Sequence, residues 1–199
     1  MPEIYEIMEE TGSVERFGKL SVQYYNMDVE GLLYLLSCYY DVQFVASLYD
    51  GDLKSRVACF ELNDSTLKEA LQEIQRILPN LRFRVYERIV MIYDRTKTSP
   101  EQLRNPLEFL LVHHASCSDK PVEIRLSDFM GYLAYYFNKS IFYSLETLHP
   151  ELTIKLPIVA DQKLGNITHL LEREIPGIQM DFFEDVICFT RKEPTVLIL

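Results

Sequence analysis

Few side chains of this sequence combine the type and the spacing that a catalytic or metal site needs. His113 and His114 are neighbours, so on a helix or a strand they point apart, and one metal ion rarely binds both. His169 precedes Glu172 by three positions on a predicted helix, a spacing that could form an acid–base or metal pair. A solvated helix face is the more common reason for such a pair, and we adopt that interpretation.

The short motifs that bind phosphates, metals or an activated nucleophile are also missing. The sequence contains no GxSxG, HExxH, Walker A or GxGxxG segment. Asp50-Gly51-Asp52 lacks the remaining ligands of a calcium loop, and Glu184-Asp185 falls in a predicted turn, where acidic pairs are ordinarily hydrated. We therefore predict that the protein is not an enzyme, and that it has no metal site and no cofactor.

Four cysteines are spread along the chain at positions 38, 59, 117 and 188. No two of them form a CxxC pair, which argues against a structural zinc site. A chain of 199 residues does not need disulfides to fold. We predict four free thiols, most of them buried as small apolar side chains.

The net charge of the chain limits the classes of partner that it can bind. The formal net charge is −10, and no segment of the chain is basic. Nucleic-acid binding depends on Lys and Arg neutralising phosphates, and anionic membranes attract basic segments, so neither partner is expected. No apolar run approaches the roughly 18 residues that cross a bilayer, and the acidic start is no signal peptide. The chain as written is expected to be cytoplasmic, or periplasmic if it is processed or truncated.

The second half of the sequence resembles the first. When the chain is shifted by 97 positions, the apolar pattern aligns without a gap from residue 28 to residue 95. Leu36 then aligns with Leu133, and Pro79 with Pro176. Such a repeat indicates one supersecondary unit that occurs twice.

Each unit is predicted to follow the order β-α-β-β-α-β-β. The first helices have apolar residues at i, i+3, i+4 and i+7, with Asp28 and Ser127 as N-caps. The second helices end before the two prolines, and hairpins at 81–94 and 178–191 close the units. The predicted fold class is α+β, with two tandem βαββαββ units, each with two helices packed on its own small sheets. A structure with one continuous sheet through both halves, or with two unlike halves, would contradict the duplication.

These patterns divide the chain into five parts. They are an N-terminal extension at 1–18, a first repeat at 19–95, a linker at 96–115, a second repeat at 116–193 and an apolar tail at 194–199.

Residues 19–95 resemble the short N-terminal domain of secretins and TonB-dependent receptors, and more closely the C-terminal domain of FecR-type anti-sigma regulators. The resemblance is carried by the helix at Asp28–Leu36, the strand at Val42–Phe44 and the run at Phe60–Leu71, and it extends more weakly over 116–192. It implies a non-enzymatic role in cell-envelope signalling, in which protein partners bind, often at exposed sheet edges. The alternatives are a periplasmic assembly or receptor-signalling fragment, and a small enzyme, which would need a pocket with converging polar groups.

Aromatic side chains and the C-terminal tail are the candidates for partner binding. In each aromatic pair one ring should face the core and the other should face outwards. The outward rings form a binding patch or cover a seam between the units, and the tail pairs with a sheet edge of its own chain or of a partner. The candidate partner-binding residues are Tyr24, Tyr40, Tyr135, Val196, Leu197 and Leu199.

Overall fold

The structure is a computed structural model that describes residues 8–11, 18–48, 50–86, 88–96, 122–144, 148–149, 152–156 and 164–191. Helices α1 to α5 span Val29–Tyr40, Asp50–Leu53, Leu67–Ile77, Leu126–Phe137 and Leu164–Glu174. Strands β1 to β11 span Met8–Thr11, Leu20–Asp28, Gln43–Leu48, Arg56–Ser65, Leu81–Tyr86, Ile89–Asp94, Val122–Arg125, Ser140–Ser144, Thr153–Leu156, Ile178–Phe182 and Val186–Arg191. The predicted mixture of helices and strands is confirmed.

Seven strands form the main sheet, in the order β1-β5-β6-β3-β8-β11-β10. The four central strands β6, β3, β8 and β11 are mutually parallel, and the hairpins β5–β6 and β10–β11 are antiparallel. Strand β1 runs parallel to β5 at one edge. Two further ribbons, β2–β4 and β7–β9, are separate from the main sheet.

The expectation that each half would have its own sheets is wrong for the main sheet. Strands β3 and β8 pair in parallel, with Val45 opposite Ile141, so one sheet continues through both halves. Without this pairing each strand would be an edge with unpaired N–H and C=O groups. Both strands are buried along their whole length, which is why their sequences are nearly continuous apolar runs rather than alternating ones.

The sheet has a hydrophobic core on each face. Alternate residues of β3 belong to different cores, since Phe44 and Ala46 contact the first and Val45 the second. The first core lies under α1 and α3, and the second under α4 and α5. Phe142 and Val186, from the second half of the chain, are part of the first core. The halves therefore share their interiors.

The predicted N-cap is confirmed for α1 and is wrong for α4. The Asp28 carboxylate accepts a hydrogen bond from the Gly31 amide at 2.8 Å, as predicted for α1. Thr66 and Glu69 form a reciprocal capping box at the start of α3. Ser127 is not a cap, because α4 already begins at Leu126. No helix in the described part of the chain has the length and apolar character that a bilayer crossing requires.

Candidate functional site

A cleft of about 460 Å³ lies between α1 and strands β8 and β11. We call it the α1 cleft. It is lined by Asp28, Glu30, Gly31, Tyr34, Phe142, Phe183, Glu184, Asp185, Val186 and Cys188. The lining residues thus come from the first half of α1, from β8, and from the β10–β11 turn with the strand that follows it.

The α1 wall of the cleft is shaped by the helix start. A Cβ at position 31 would lie 2.8 Å from Asp28 Oδ1, so glycine leaves room for the capping carboxylate. Glu30 and Tyr34 are one helical turn apart and therefore project from the same side of α1. The first two turns of α1 thus present a carboxylate and an aromatic ring to the cleft.

The floor of the cleft is apolar apart from one thiol. Phe142 and Val186 are buried side chains of the first core. The half-buried Cys188 donates its S–H to Glu30 Oε1 at 3.5 Å. Burial, followed by the charge of Glu30, raises the pKa of Cys188 from 9.0 to about 12. The thiol is therefore protonated at neutral pH and is a poor nucleophile.

The rim of the cleft is the β10–β11 turn. Its carbonyl groups accept hydrogen bonds from Ser140, the first residue of β8, and from Lys139, the residue before that strand. The Phe183 amide donates to the Val186 carbonyl at 2.9 Å, which closes the turn. The Ser140 amide donates to the Asp185 carbonyl at 2.9 Å, and the Lys139 ammonium donates to the Glu184 carbonyl. Phe183 is 60% exposed despite these bonds. The turn thus holds an aromatic ring and two acidic residues at the mouth of the cleft.

The α1 cleft is electronegative. Its lining includes four carboxylates, of Asp28, Glu30, Glu184 and Asp185, and no Lys or Arg. The pKa of Tyr34 is raised, first by Cys38 and also by the charges of Asp185 and Glu184. The field of the turn carboxylates therefore reaches α1 across the cleft.

A second cleft of about 280 Å³ lies at the other end of α1 and shares Asp185 with the first. It is lined by Ser37, Cys38, Asp41, Val42, Gln43, Asn138, Ser140 and Asp185. Arg88 forms an ion pair with Asp41 and donates to the Asp41 carbonyl, so this end of α1 has a compensating cation. The α1 cleft has none among its lining residues.

Of the histidines considered for metal or acid–base chemistry, His169 lies in the described part of the chain. Among the described residues, no group of three His, Cys, Asp or Glu side chains is placed to hold a metal ion. His169 is exposed and lies 3.9 Å from Glu172, which matches the predicted solvated helix face. His113 and His114 lie outside the described residues.

The predicted aromatic patch is partly wrong. Tyr40 is 2% exposed and donates its hydroxyl to the Ser65 carbonyl at 2.8 Å, so it faces the core and not a partner. Its neighbour Tyr39 is the outward ring of that pair, because the helix turns it away from the sheet. Tyr24 is half-buried, and its hydroxyl donates to that of Tyr39 at 3.3 Å. Tyr135 is 48% exposed, as predicted.

The remaining predicted site residues, Val196, Leu197 and Leu199, lie outside the described residues. Among the cysteines, positions 38, 59 and 188 are free thiols, and Cys117 lies outside the described residues. The prediction that most thiols are buried is wrong for Cys38 and Cys59, which are exposed. Both lie on the solvent side of their elements, where a thiol is tolerated without a packing role.

Sequence reasoning missed the α1 cleft altogether, because its parts are separated by about 150 positions of the chain. Glu184-Asp185 was interpreted only as a hydrated turn. The available signal was the combination of acidic residues at the helix start, with no nearby Lys or Arg, and the apolar pair Phe182-Phe183 directly before an acidic turn.

Comparisons with protein-family models, with curated proteins and with solved structures found nothing that matches this chain. The resemblance to FecR-type regulators therefore stays a prediction from the sequence.

Proposed function

We propose that this chain is a non-enzymatic protein-binding module that pairs the outer edge of β10 with a strand of a partner. One observation carries the proposal. Strand β10 lies at the edge of the main sheet, where it pairs with β11 alone among the described strands, and it leads into two exposed phenylalanines.

The sheet ends at β1 on one side and at β10 on the other, and each pairs with one neighbour among the described strands. Strand β1 has four residues, and its register with β5 shifts between Glu9 and Thr11, an irregularity that makes an edge a poorer template for a further strand. At the other edge, the described residues place no strand against the outer side of β10. An uncovered edge presents N–H and C=O groups that an extended peptide can satisfy by adding a strand.

The side chains of β10 support such pairing. Ile178 and Met180 are buried in the second core, which holds the strand against the molecule. Phe182 is 45% exposed and Phe183 60% exposed. Fully burying an aromatic side chain of this kind stabilises a complex by about 1.5–3 kcal/mol, so the pair can anchor a partner.

Two features of the halves favour a duplicated βαββαββ unit, although the continuous sheet contradicts the prediction of units with separate sheets. Helices α1 and α4 both end at a residue with left-handed backbone, Asp41 at φ 54° and Asn138 at φ 52°. Strands β3 and β8 both pair in parallel with the last strand of their own half. The continuous sheet argues against units that fold separately, so the proposal is of paired units that share one sheet. The resemblance to FecR-type regulators favours a role in cell-envelope signalling.

The edge is tested with a photo-crosslinking residue at Gln179, which is exposed on β10, and the same residue at Tyr25, which is 65% exposed on the β2–β4 ribbon. We expect the Gln179 probe to capture a protein from native extract that the Tyr25 probe does not. With that protein purified, Phe182→Ser should weaken binding at least about fivefold, or about 1 kcal/mol. The matched variant Tyr25→Ser should leave the affinity unchanged.

Equal capture at both positions would contradict the edge proposal, as would an unchanged affinity for Phe182→Ser with an intact circular dichroism spectrum. A loss of affinity in Tyr135→Ser alone would move the binding surface to α4.

A further inference from the structure

We propose that the α1 cleft receives an arginine side chain of the partner segment that approaches the β10–β11 turn. This inference rests on the proposed function, because it names the chemistry that the same partner must carry. Its support is the combination of a cavity, four carboxylates with no Lys or Arg among the lining residues, and aromatic walls.

The charges of the cleft select a cation. Asp28 accepts a hydrogen bond from the Gly31 amide, and Glu30 accepts one from the Cys188 thiol. A carboxylate has two oxygens and about four acceptor sites, so both groups keep acceptor capacity for a ligand. Glu184 and Asp185 add two further negative charges from the opposite wall. An anion would be repelled from such a site, whereas a guanidinium would be bound by charge-assisted hydrogen bonds.

The aromatic walls favour arginine over lysine. Tyr34 and Phe183 line the cleft from opposite elements, α1 and the β10–β11 turn. A planar guanidinium stacks on aromatic rings and bonds a carboxylate through two parallel N–H groups, while an ammonium is a strongly hydrated point charge. The apolar floor of Phe142 and Val186 suits the methylene part of the side chain.

The size and position of the cleft suit an extended segment. Its volume of about 460 Å³ falls in the range of sites that bury a small ligand. Phe183 belongs both to the cleft and to the turn that directly follows β10. A segment that pairs with β10 and continues past Phe182 reaches the mouth of the cleft.

The inference is tested by NMR on the full chain, with N-acetyl-arginine amide as the probe and N-acetyl-citrulline amide as its uncharged analogue. We expect the arginine probe to shift the amide signals of Gly31, Tyr34, Val186 and Cys188, which line the cleft. Citrulline keeps the shape but not the charge, so its affinity should be at least tenfold lower. Added salt should weaken the arginine probe and not the citrulline probe.

Charge-removing variants locate the site. Glu30→Gln and Asp185→Asn should each weaken the arginine probe at least threefold, while Glu61→Gln, an exposed acid on β4, should leave its affinity unchanged. The inference is overturned if citrulline shifts the same amides equally, if Glu61→Gln weakens the probe as much as Glu30→Gln, or if no lining amide shifts up to the solubility limit.

The two proposals fail separately. If Phe182→Ser abolishes partner binding while the arginine probe shifts no lining amide, the edge proposal stands and the arginine inference is wrong. If the probe binds in the α1 cleft and Phe182→Ser binds its partner normally, the arginine inference stands and the edge proposal is wrong.

Discussion

Helices α1 and α4 each have twelve residues and precede a parallel strand of the same sheet, but they pack on it differently. Met130 of α4 shares a core with Val45, Met91 and the fully buried Tyr86. Beside α1, the residue that aligns with Tyr86 in the repeat is Phe183, which is 60% exposed, and the α1 cleft lies there instead.

Two positions of the helix explain the difference. Glu30 and Tyr34 on α1 align with Ser127 and Gly131 on α4, and both of the smaller residues are buried. The small residues on α4 are packed in the interior, whereas the carboxylate and the ring on α1 line the cleft.

The largest expected effect distinguishes Tyr86, which is buried in the second core, from Phe183, which is exposed at the α1 cleft. Tyr86→Ala removes a fully buried ring and should lower the free energy of unfolding by about 3–5 kcal/mol. Phe183→Ala removes an exposed ring and should change it by no more than about 0.5 kcal/mol. Urea unfolding of both variants measures the difference. Similar losses in the two variants would show that Phe183 supports the fold and that the comparison does not hold.

A smaller effect distinguishes the thiol in the cleft from the thiol outside it. With Cys59 and Cys117 changed to serine, Cys38 should react with a thiol reagent at about pH 8 at least tenfold faster than Cys188, a difference of about 1.4 kcal/mol. The reason is that Cys38 is exposed, while burial and Glu30 keep Cys188 protonated. Rates are followed by mass spectrometry of the labelled peptides, and equal rates would contradict the raised pKa.

The raised pKa of Cys188 also predicts how the free energy of unfolding changes with pH. The folded state keeps the proton from pH 9.0 up to about pH 12, where the unfolded chain has lost it. The stabilisation from the protonated thiol is therefore complete below pH 9.0 and is lost as the pH rises towards 12. Cys188→Ala should make the alkaline side of the stability profile flatter than that of the parent chain.

The smallest expected effect concerns the start of α1, which has a side-chain cap, unlike that of α4. Asp28→Ala removes the hydrogen bond to the Gly31 amide and should cost about 1 kcal/mol. Asp28→Asn keeps an acceptor at the same place and should cost clearly less. The thermal unfolding midpoints of the two variants measure the difference. If both variants lose the same stability, the effect of Asp28 comes from its charge in the cleft rather than from the cap.

Local structure was predictable because it depends on neighbouring residues. The Asp28 cap follows from an acceptor placed before an apolar-periodic run, and the end of α3 follows from Pro79, which a helix interior cannot accept. The hairpin β5–β6 follows from two apolar strands separated by a short turn. Each of these features is confirmed at or near the expected position.

Pairing between the halves was not predictable. The apolar runs of β3 and β8 indicate burial on both faces but not the strand that lies beside each. The choice between Tyr39 and Tyr40 as the outward ring was equally open, because it depends on where α1 contacts the sheet. Both the strand pairing and the orientation of the rings depend on how the whole sheet is assembled.

The amino-acid sequence by itself determined most of the helices and strands, the cap of α1 and the apolar faces, because propensity, capping and periodicity act over a few residues. Only the tertiary structure decided that β3 and β8 join two half-sheets, and that residues 28–34 and 183–188 meet around one cleft. The physical reason is that strand pairing and cavity formation depend on contacts between distant segments, and many partners satisfy the same apolar pattern.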